Sequence, residues 1–291
     1  MKAEPTVFGV VLNWCNGGLT ATCLRSLEAS DCPNLQILLV DNASPDGSGA
    51  ELHASFPHLS YLQTGANLGY TGGNNRGIEW CLDTGADYVL ILNNDTEIAT
   101  DAVSRLVEVA TREARVGAVA PKILYHAAPE RTWYAGGDMS RLRVLGHHRG
   151  EGRPDNSTRD EPQDVSFLTG CCLLLSGEAL RDVGLLAEDL FTYAEDVELS
   201  LRLQKAGYRL VYQPAARVLH HVPFGRSEPN PAQIYHRDRN RRRVARRHLT
   251  AIERIGFQLF FYPTRFIHLM RYLLMRDGER LRAVWRGMTA P

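Results

Sequence analysis

The amino-acid sequence predicts an α/β protein whose mostly parallel central sheet is covered by helices on both faces. Short apolar runs of strand length alternate with helix-length segments over the first 120 residues, which is typical of parallel strands joined by helical crossovers. The chain of 291 residues is also 44% hydrophobic and 23% charged. This composition is ordinary for globular proteins and excludes a mainly disordered or fibrous chain.

The predicted elements follow one another in a regular order. Strands are predicted at residues 7–12, 35–40, 59–63, 88–92 and 117–120, where apolar and β-branched residues form short runs. Helices are predicted between them, at residues 20–29, 48–55, 73–83 and 101–112.

The second part of the chain is less regular. From about residue 125 to residue 162, Gly, Pro, Arg and His interrupt the pattern, and we expect a long loop region of the kind that is often functional. Order returns with a strand and a turn over 164–175, helices near 177–183 and 194–206, and strands at 209–212 and 217–220. After Pro231 the sequence predicts Arg-rich helices to its end.

Cysteine usage and hydropathy predict a cytoplasmic protein. The six cysteines show no CxxC or zinc-ligand spacing, so free thiols in a reducing compartment are expected. The apolar run at 7–12 is too short for a signal peptide. The apolar stretch at 255–275 contains Pro263, Arg265 and Arg271, and it therefore does not predict a membrane span.

Polar residues follow each of the first four predicted strands. Because the carboxyl ends of parallel strands meet at one edge of a sheet, where open α/β folds bind their ligands, this set predicts a site for a polar ligand. Any one of these residues alone also fits a turn or a helix cap. The residues are Asn13, Asp41, Asn42, Asn67, Asn93, Asn94 and Asp95.

Two familiar nucleotide-binding patterns are absent. Residues 13–18 lack the G-x-G-x-x-G fingerprint, and no G-x-x-x-x-G-K-[ST] occurs. The Gly-rich stretch 67–77 opens a helix, so its backbone N–H groups could approach a phosphate with Arg76 as charge partner. A plain turn and cap explains it equally well. Asp95 fits either a ligand for Mg²⁺ or Mn²⁺ or a cap of the following turn.

These residues resemble a known family when they are taken together. The motifs are VDNASPDGS at 40–48, NLGYTGGNNRG at 67–77, LNNDT at 92–96, TGCCLLL at 169–175, EDVELSLR at 195–202, GYRLVY at 207–212 and VLH at 218–220. In this order, over about residues 6–245, they resemble family 2 glycosyltransferases of the GT-A fold, and bacterial enzymes of the rhamnosyltransferase type most.

The resemblance implies a role for each matching residue. Asp41 is similar to the acid that reads the nucleotide base, and Asp95 to the last acid of a D-x-D motif that binds a divalent cation and the diphosphate. Asn93 stands where that motif has its first acid. His220 or its neighbour His221 is similar to a further metal ligand. Asp196 is similar to the catalytic base. The remaining implied residues are Asn13, Asn67, Gly73 and Asn74 for the nucleotide sugar, and Thr169, Gly170 and Glu195 on the acceptor side.

The chemistry of glycosyl transfer requires the same arrangement. One carboxylate must accept the proton of the attacking hydroxyl, and a cation must stabilise the departing diphosphate. Asp196 and Asp95 meet these two needs. For Glu195 a structural role is favoured, because Thr192 to Glu195 has the form of a capping box.

The predicted protein is therefore an inverting glycosyltransferase with dTDP-rhamnose as the first guess for its donor and a carbohydrate or lipid-linked acceptor, acting in cell-surface polysaccharide biosynthesis. We expect a catalytic domain at 1–225, with a nucleotide-binding part at 1–120 and an acceptor-binding part at 121–225, and a basic helical extension at 226–291. A sugar nucleotidyltransferase and a non-catalytic nucleotide-sugar-binding scaffold remain as alternatives. A nucleotidyltransferase is expected to have a Gly-rich motif with a Lys or Arg directly after the first strand, and residues 13–18 lack such a motif.

The extension is open to two interpretations. The 33 basic and 33 acidic residues of the chain cancel, but 15 arginines and five acidic residues follow His221, giving that tail a net charge of +10. An arginine run over 237–247 beside aromatic helices fits peripheral contact with the inner face of the cell membrane. Packing on the catalytic body or in a homodimer fits equally well. Nucleic acid is not expected as a partner, because the run lacks interleaved aromatic residues.

Overall fold

The computed structural model describes residues 4–155, 161–225 and 228–291. The strands of these ranges are β1 Val7–Asn13, β2 Leu35–Asp41, β3 Ser60–Gln63, β4 Tyr88–Asn93, β5 Thr96–Ile98, β6 Val116–Tyr125, β7 Ala128–Tyr134, β8 Gly137–Ser140, β9 Leu145–His148, β10 Gln163–Asp164, β11 Cys172–Ser176 and β12 Arg209–His220. The helices are α1 Gly17–Glu28, α2 Ser48–Ser55, α3 Gly69–Asp83, α4 Ala102–Arg112, α5 Gly177–Val183, α6 Glu195–Lys205, α7 Pro231–His248, α8 Ala251–Leu274 and α9 Gly278–Thr289.

A mixed, mostly parallel sheet forms the centre of the molecule, as the sequence predicts. Its strand order is β10-β12-β6-β11-β4-β1-β2-β3, and β3, β2, β1 and β4 run parallel to one another. β1 is almost wholly buried, which explains why its sequence is a continuous apolar run rather than an alternating one. β11 runs antiparallel between β4 and β6, and β12 is parallel to β6.

The expectation of a long loop from residue 125 to 162 is wrong over the described residues. β7 pairs with β6, and β8 pairs with β9 as a separate two-stranded sheet. Their strands carry exposed polar residues, because they lie at sheet edges, and this composition hides them from a search for apolar runs. Residues 156–160 of the expected loop lie outside the described residues, as do residues 226 and 227 at the start of the expected extension.

Two further expectations about strands need correction. Residues 209–212 and 217–220 belong to one strand, β12, because a bulge between Gln213 and Arg217 shifts its register against β6 without ending the pairing. The strand expected over 164–175 is instead the short β10 and the later β11, with irregular backbone between them. That irregular segment lies next to the site described below.

The C-terminal helices pack onto the sheet-containing core. Val244 and Ala245 of α7 and Phe257 and Phe261 of α8 are buried within the same hydrophobic cluster as the strands. α7 begins with a capping box between Asn230 and Gln233, so its first N–H groups are satisfied. Among the described residues, no helix combines the length and apolar character that crossing a bilayer requires.

Candidate active site

The ends of β1 and β2 are joined by a buried network of hydrogen bonds. Asn13 pairs in register with Asp41, and its Nδ2 donates to Asp41 Oδ1 at 3.2 Å and to Ser48 Oγ at 2.9 Å. Ser44 Oγ donates to the same Asp41 oxygen at 2.6 Å. Gly49 packs against this carboxylate, since a Cβ at Gly49 would lie 2.2 Å from Asp41 Cγ. The network fixes Asp41 at the sheet edge, and its role in reading the base remains a prediction.

Asn42 and Asn67 line a cavity of about 420 Å³ beside this network. Asn42 Nδ2 donates to Asn67 Oδ1 at 3.1 Å and to the carbonyl of Gly69 at 3.1 Å, so the loop before α3 is held against β2. The half-exposed indole of Trp14 lies in the same lining. The pattern of polar residues after the strands predicts Asn42 and Asn67 in this site. It does not predict Trp14, because an aromatic residue after a strand carries no such signal.

The other residues proposed from the Gly-rich stretch lie inside α3. A Cβ on Gly73 would lie 2.6 Å from Leu12 Cδ1, so Gly73 allows α3 to pack closely on β1. Asn74 is buried, and its Nδ2 donates to the carbonyl of Tyr70 at 2.8 Å. Arg76 does not face the cavity network but pairs with Glu79 at 2.7 Å. Of the two interpretations of this stretch, the position of Arg76 favours the turn and cap over a phosphate contact through this side chain.

Asp95 and His220 are brought together by the pairing of β5 with β12, which sets His220 opposite Thr96. The Asp95 Oδ1 to His220 Nε2 distance is 3.1 Å. Two ligands of one octahedral ion, each about 2.1 Å from it, stand about 3 Å apart. His220 is buried, and its Nδ1 has no hydrogen-bond partner in the described part of the chain. A carboxylate and an imidazole nitrogen at this separation fit a divalent cation.

His221 points to a different carboxylate. Its Nε2 lies 2.5 Å from Glu97 Oε1, and its ring stacks on His126 with centroids 3.7 Å apart. Together with His126, these residues form a group of three ligand atoms that lie close enough to one another to hold a metal ion. The geometry beside Asp95 thus favours His220 over His221.

A larger cavity of about 590 Å³ collects most of the other predicted residues. The Asp95–His220 pair and Asp196 belong to the same lining. The predicted residues in the lining are Asn93, Asp95, Thr169, Gly170, Glu195, Asp196 and His220. It shares Tyr70, Thr192, Tyr193 and Gln233 with the cavity beside Asn42. The two cavities therefore adjoin, and together they can hold an extended ligand.

Asp196 is held at the start of α6 by backbone donors. The N–H of Val197 donates to its Oδ1 at 2.8 Å, and the N–H of Gly170 donates to its Oδ2 at 3.3 Å. Tyr70 donates its hydroxyl to the carbonyl of Gly170 at 2.7 Å. The turn at Gly170 is thus tied to α3 on one side and to Asp196 on the other.

The capping box expected at Glu195 is wrong. α6 begins at Glu195 itself, after Ala194 in the left-handed region, and no side chain caps it. Glu195 is buried, and its Oε2 has no hydrogen-bond partner among the described residues. Its side chain instead lines the cavity next to Asp196.

The two adjacent carboxyl groups differ in their surroundings. Burial, followed by the charge of Asp196, raises the pKa of Glu195 to about 8. Burial also raises the pKa of Asp196, but hydrogen bonds from the Val197 and Gly170 N–H groups and the charge of Arg237 oppose that rise. Of the two groups, Glu195 is therefore the one that more readily keeps its proton, and Asp196, which accepts two backbone N–H bonds, is the one better suited to be the carboxylate that accepts a proton.

A strained loop leads into α6. Phe191, Tyr193 and Ala194 have φ values of 65°, 66° and 68°, and each such conformation costs on the order of 1 kcal/mol or more for a residue with a side chain. Buried Asn240 of α7 holds this loop, because its Nδ2 lies 2.8 Å from the carbonyl of Leu190 and 2.7 Å from the carbonyls of Thr192 and Tyr193. The sequence signal for Asn240 was a polar residue of low helix propensity inside an arginine run.

Comparison with known proteins identifies the family. The model of glycosyl transferase family 2 matches residues 16–184. The chain belongs to this family. This glycosyltransferase is 35% identical over 217 residues to the N-acetylglucosaminyl-diphospho-decaprenol L-rhamnosyltransferase of Mycobacterium tuberculosis, and the match covers 68% of the chain and 70% of the relative. It is 28% identical over 238 residues to a galactofuranosyltransferase of Mycolicibacterium smegmatis, covering 79% and 75%.

Solved structures share the fold of this glycosyltransferase. The crystal structure of GalNAc-T7 with UDP, GalNAc and Mn²⁺ matches with a TM-score of 0.65 at 17% identity, over 84% of this chain and 48% of that one. The mannosyltransferase of Pyrobaculum calidifontis in complex with GDP-Man and Mn²⁺ matches with a TM-score of 0.59 at 17% identity, over 99% and 75%. The predicted GT-A fold is therefore confirmed. The family match and the named relatives confirm the prediction of a glycosyltransferase.

Proposed function

We propose that this glycosyltransferase moves a sugar, with inversion, from a nucleoside diphosphate donor to a hydroxyl group of a lipid-diphosphate-linked acceptor. One observation carries the proposal: a single cavity is lined both by the Asp95–His220 pair and by Asp196. The first group suits a diphosphate with its cation, and the second suits a hydroxyl that must lose its proton.

The reacting groups follow from this arrangement. The acceptor oxygen attacks the anomeric carbon from the face opposite the diphosphate, its proton passes to Asp196, and the bond between the anomeric carbon and the diphosphate oxygen breaks. The N–H groups of Val197 and Gly170 orient the Asp196 carboxylate. Protonated Glu195 adds no second negative charge beside it.

Asp95 and His220 are the residues that would hold Mg²⁺ or Mn²⁺, with Asn93 next to them in the cavity lining. A bound divalent cation supplies positive charge that stabilises the leaving diphosphate. We assign Asn13, Asp41, Asn67, Gly73 and Asn74 to the support and recognition of the nucleotide sugar. Thr169, Gly170 and Glu195 are assigned to the acceptor side.

The substrates are proposed from the named relative. Its name gives a rhamnosyl group as the sugar and N-acetylglucosaminyl-diphospho-decaprenol as the acceptor. We therefore propose dTDP-rhamnose as the first donor to test and a sugar linked through a diphosphate to a polyprenyl lipid as the acceptor class. An acceptor of this kind would place the enzyme in the synthesis of cell-surface polysaccharide.

A donor panel with Mn²⁺ tests the reaction class. Release of the free nucleoside diphosphate, dependent on the acceptor, is expected of the proposed transfer. Release of inorganic pyrophosphate would indicate a nucleotidyltransferase instead, and binding without turnover of any donor would indicate a scaffold. Stereochemistry is tested by the anomeric configuration of the product, and retention would contradict inversion.

We also propose a peripheral contact with the membrane, and we assign it to α8 rather than to the arginine run of α7. The arginines of α7 largely bind the protein itself: Arg243 and Arg247 bind Asp189, and Arg242 donates to the carbonyls of Gly287 and Ala290. By contrast, α8 presents an outer face of exposed uncharged residues. These are Ile252, Ile255, Leu259, Tyr262, Phe266, Ile267, Met270, Leu273 and Leu274.

The occupant that we propose for this face is an anionic lipid bilayer. The described extension, residues 228–291, contains 14 arginines and five acidic residues, and a basic amphipathic helix suits the interface of such a bilayer. Leu259→Glu is expected to weaken binding to vesicles containing phosphatidylglycerol, whereas Gln258→Glu, which adds the same charge elsewhere on the helix, retains most of it. A dimer that buries this face, with no vesicle binding, would contradict the proposal.

A further inference from the structure

A third cavity, of about 230 Å³, adjoins the 590 Å³ cavity that contains Asp196, here called the catalytic cavity, and is lined by cationic side chains of α7 and α8. Arg237 and Arg241 lie one turn apart on α7 and line both cavities. Arg265 and His268 of α8 line only the 230 Å³ cavity. The catalytic cavity therefore continues, at Arg237 and Arg241, into a basic pocket between the C-terminal helices.

The charges of this pocket are not balanced by its own residues. Its lining contains three arginines and one carboxylate, Asp238. Arg265 Nη1 donates to Asp238 Oδ1 at 2.6 Å, whereas Arg241 Nη1 lies 3.8 Å from the same oxygen. With His268 neutral, the lining carries a net charge of about +2.

Arg241 lacks a full set of partners although it is buried. Its side chain is 4% exposed, its Nε donates to the carbonyl of Arg143 at 2.8 Å, and its guanidinium packs on Phe257 and Phe261. Its Nη2 has no hydrogen-bond partner among the described residues, and neither has Arg265 Nε. Burial, and then the charge of Arg265, lowers the pKa of Arg241 to about 10. Buried donors without acceptors are costly, so a bound anion would satisfy them.

We infer that this pocket binds the diphosphate of the lipid-linked acceptor. The inference rests on the proposed function, because it requires an acceptor in which a diphosphate follows the sugar. The sugar would occupy the catalytic cavity with its hydroxyl at Asp196, and the diphosphate would lie against Arg237, Arg241 and Arg265. A diphosphodiester has two negative charges, which match the net charge of the lining, and guanidinium groups bind phosphate oxygens in pairs.

The donor diphosphate is a poorer occupant of this pocket. The groups suited to the donor and its cation, Asp95 and His220, line the catalytic cavity and are not part of the lining of the basic pocket. The lipid assignment also agrees with the position of α8, because this helix contributes Arg265 and His268 to the pocket and carries the exposed apolar face.

Binding of farnesyl diphosphate, measured by calorimetry in EDTA, tests the inference without catalysis. The wild-type protein is expected to bind it, with farnesyl monophosphate binding more weakly and farnesol not at all. The paired change Arg265→Gln with Asp238→Asn removes both members of that ion pair and leaves the net charge of the lining unchanged. It tests the guanidinium donors of Arg265 directly, and their loss should weaken binding at least tenfold. Arg254→Gln, at an exposed position of α8 outside the lining, serves as the matched control and should leave the affinity unchanged.

A second variant guards against loss of the fold. Arg237→Gln changes an exposed side chain and should also weaken farnesyl diphosphate binding, with an unchanged midpoint of thermal unfolding. Affinity for the nucleoside diphosphate with Mn²⁺ should stay within twofold in the paired variant. Farnesol binding as tightly as its diphosphate, or equal affinity in the wild type and both variants, would overturn the inference.

The same measurements separate this inference from the proposed function. If transfer to a soluble sugar acceptor proceeds while farnesyl diphosphate does not bind, the pocket assignment is wrong and the transferase function stands. If farnesyl diphosphate binds through these arginines while no donor is turned over, the pocket assignment stands and the proposed function is wrong.

Discussion

Replacing Asp196 by Asn is the most direct test of the catalytic assignment. The change removes the ability to accept a proton and keeps the size of the side chain. The side-chain oxygen of the asparagine can still accept the 2.8 Å hydrogen bond from the Val197 N–H. Its NH₂ group then replaces the oxygen that accepts the longer, 3.3 Å bond from the Gly170 N–H, and only this weaker bond is lost. The fold and the donor site should therefore remain intact.

The expected loss of rate follows from the role of a general base. A positioned base contributes roughly 10²- to 10⁴-fold, and this corresponds to about 2.7–5.4 kcal/mol of transition-state stabilisation at about 1.36 kcal/mol per tenfold. Initial rates of nucleoside diphosphate release, with the acceptor present, measure kcat. Trp14 lines the neighbouring cavity, so quenching of its fluorescence by the donor measures donor affinity. That affinity should be the same in Asp196→Asn as in the wild type.

Glu195→Gln is the matched control for this experiment. Because Glu195 keeps its proton at neutral pH, a neutral amide of the same shape should preserve most of the rate at pH 7. Turnover of Asp196→Asn within threefold of the wild type would refute the reasoning. A dead Glu195→Gln beside an active Asp196→Asn would show that the two carboxyl groups have exchanged roles.

Three further outcomes are expected. The raised pKa of Glu195 means that the folded state keeps a proton that the unfolded chain releases above pH 4.5, so the stability contributed by this group is full below that pH and is lost as the pH rises toward about 8. Urea unfolding should therefore show a smaller loss of stability over this range in Glu195→Gln than in the wild type. His220→Gln should raise the Mn²⁺ concentration needed for half-maximal activity at least tenfold, as expected from losing a ligand, and His221→Gln should not. Gly49→Ala should destabilise the fold by about 1–3 kcal/mol through overpacking, whereas Gly18→Ala, with open space at its Cβ, should be neutral or stabilising in thermal unfolding.

The parallel half of the fold could be predicted from local sequence because each of its features is local. A continuous apolar run marks a strand that is buried on both faces, as β1 and β4 are. The polar residues after such strands must meet at one edge, and Asn13 and Asp41 do so in register. The family motifs then gave Asp95 and Asp196 their expected roles.

The remaining features depend on contacts between distant parts of the chain. Only the pairing of β5 with β12 decides that His220, and not His221, lies beside Asp95. The capping box at Glu195 was a reasonable local pattern, but α6 begins three residues after Thr192 and leaves Glu195 as its first residue. Strands such as β7 carry charges because they lie at an edge, and apolar runs cannot reveal them.

The bonds of Asn240 to the loop before α6 have a practical consequence for protein engineering. A chain that stops before α7 would keep every motif of the family yet lose the amide that restrains three strained backbone positions next to the catalytic acid. Exchanging C-terminal segments between homologous enzymes, in order to redirect acceptor choice, would meet the same obstacle. Such chimeras should transfer the 190–194 loop and its α7 anchor as one unit.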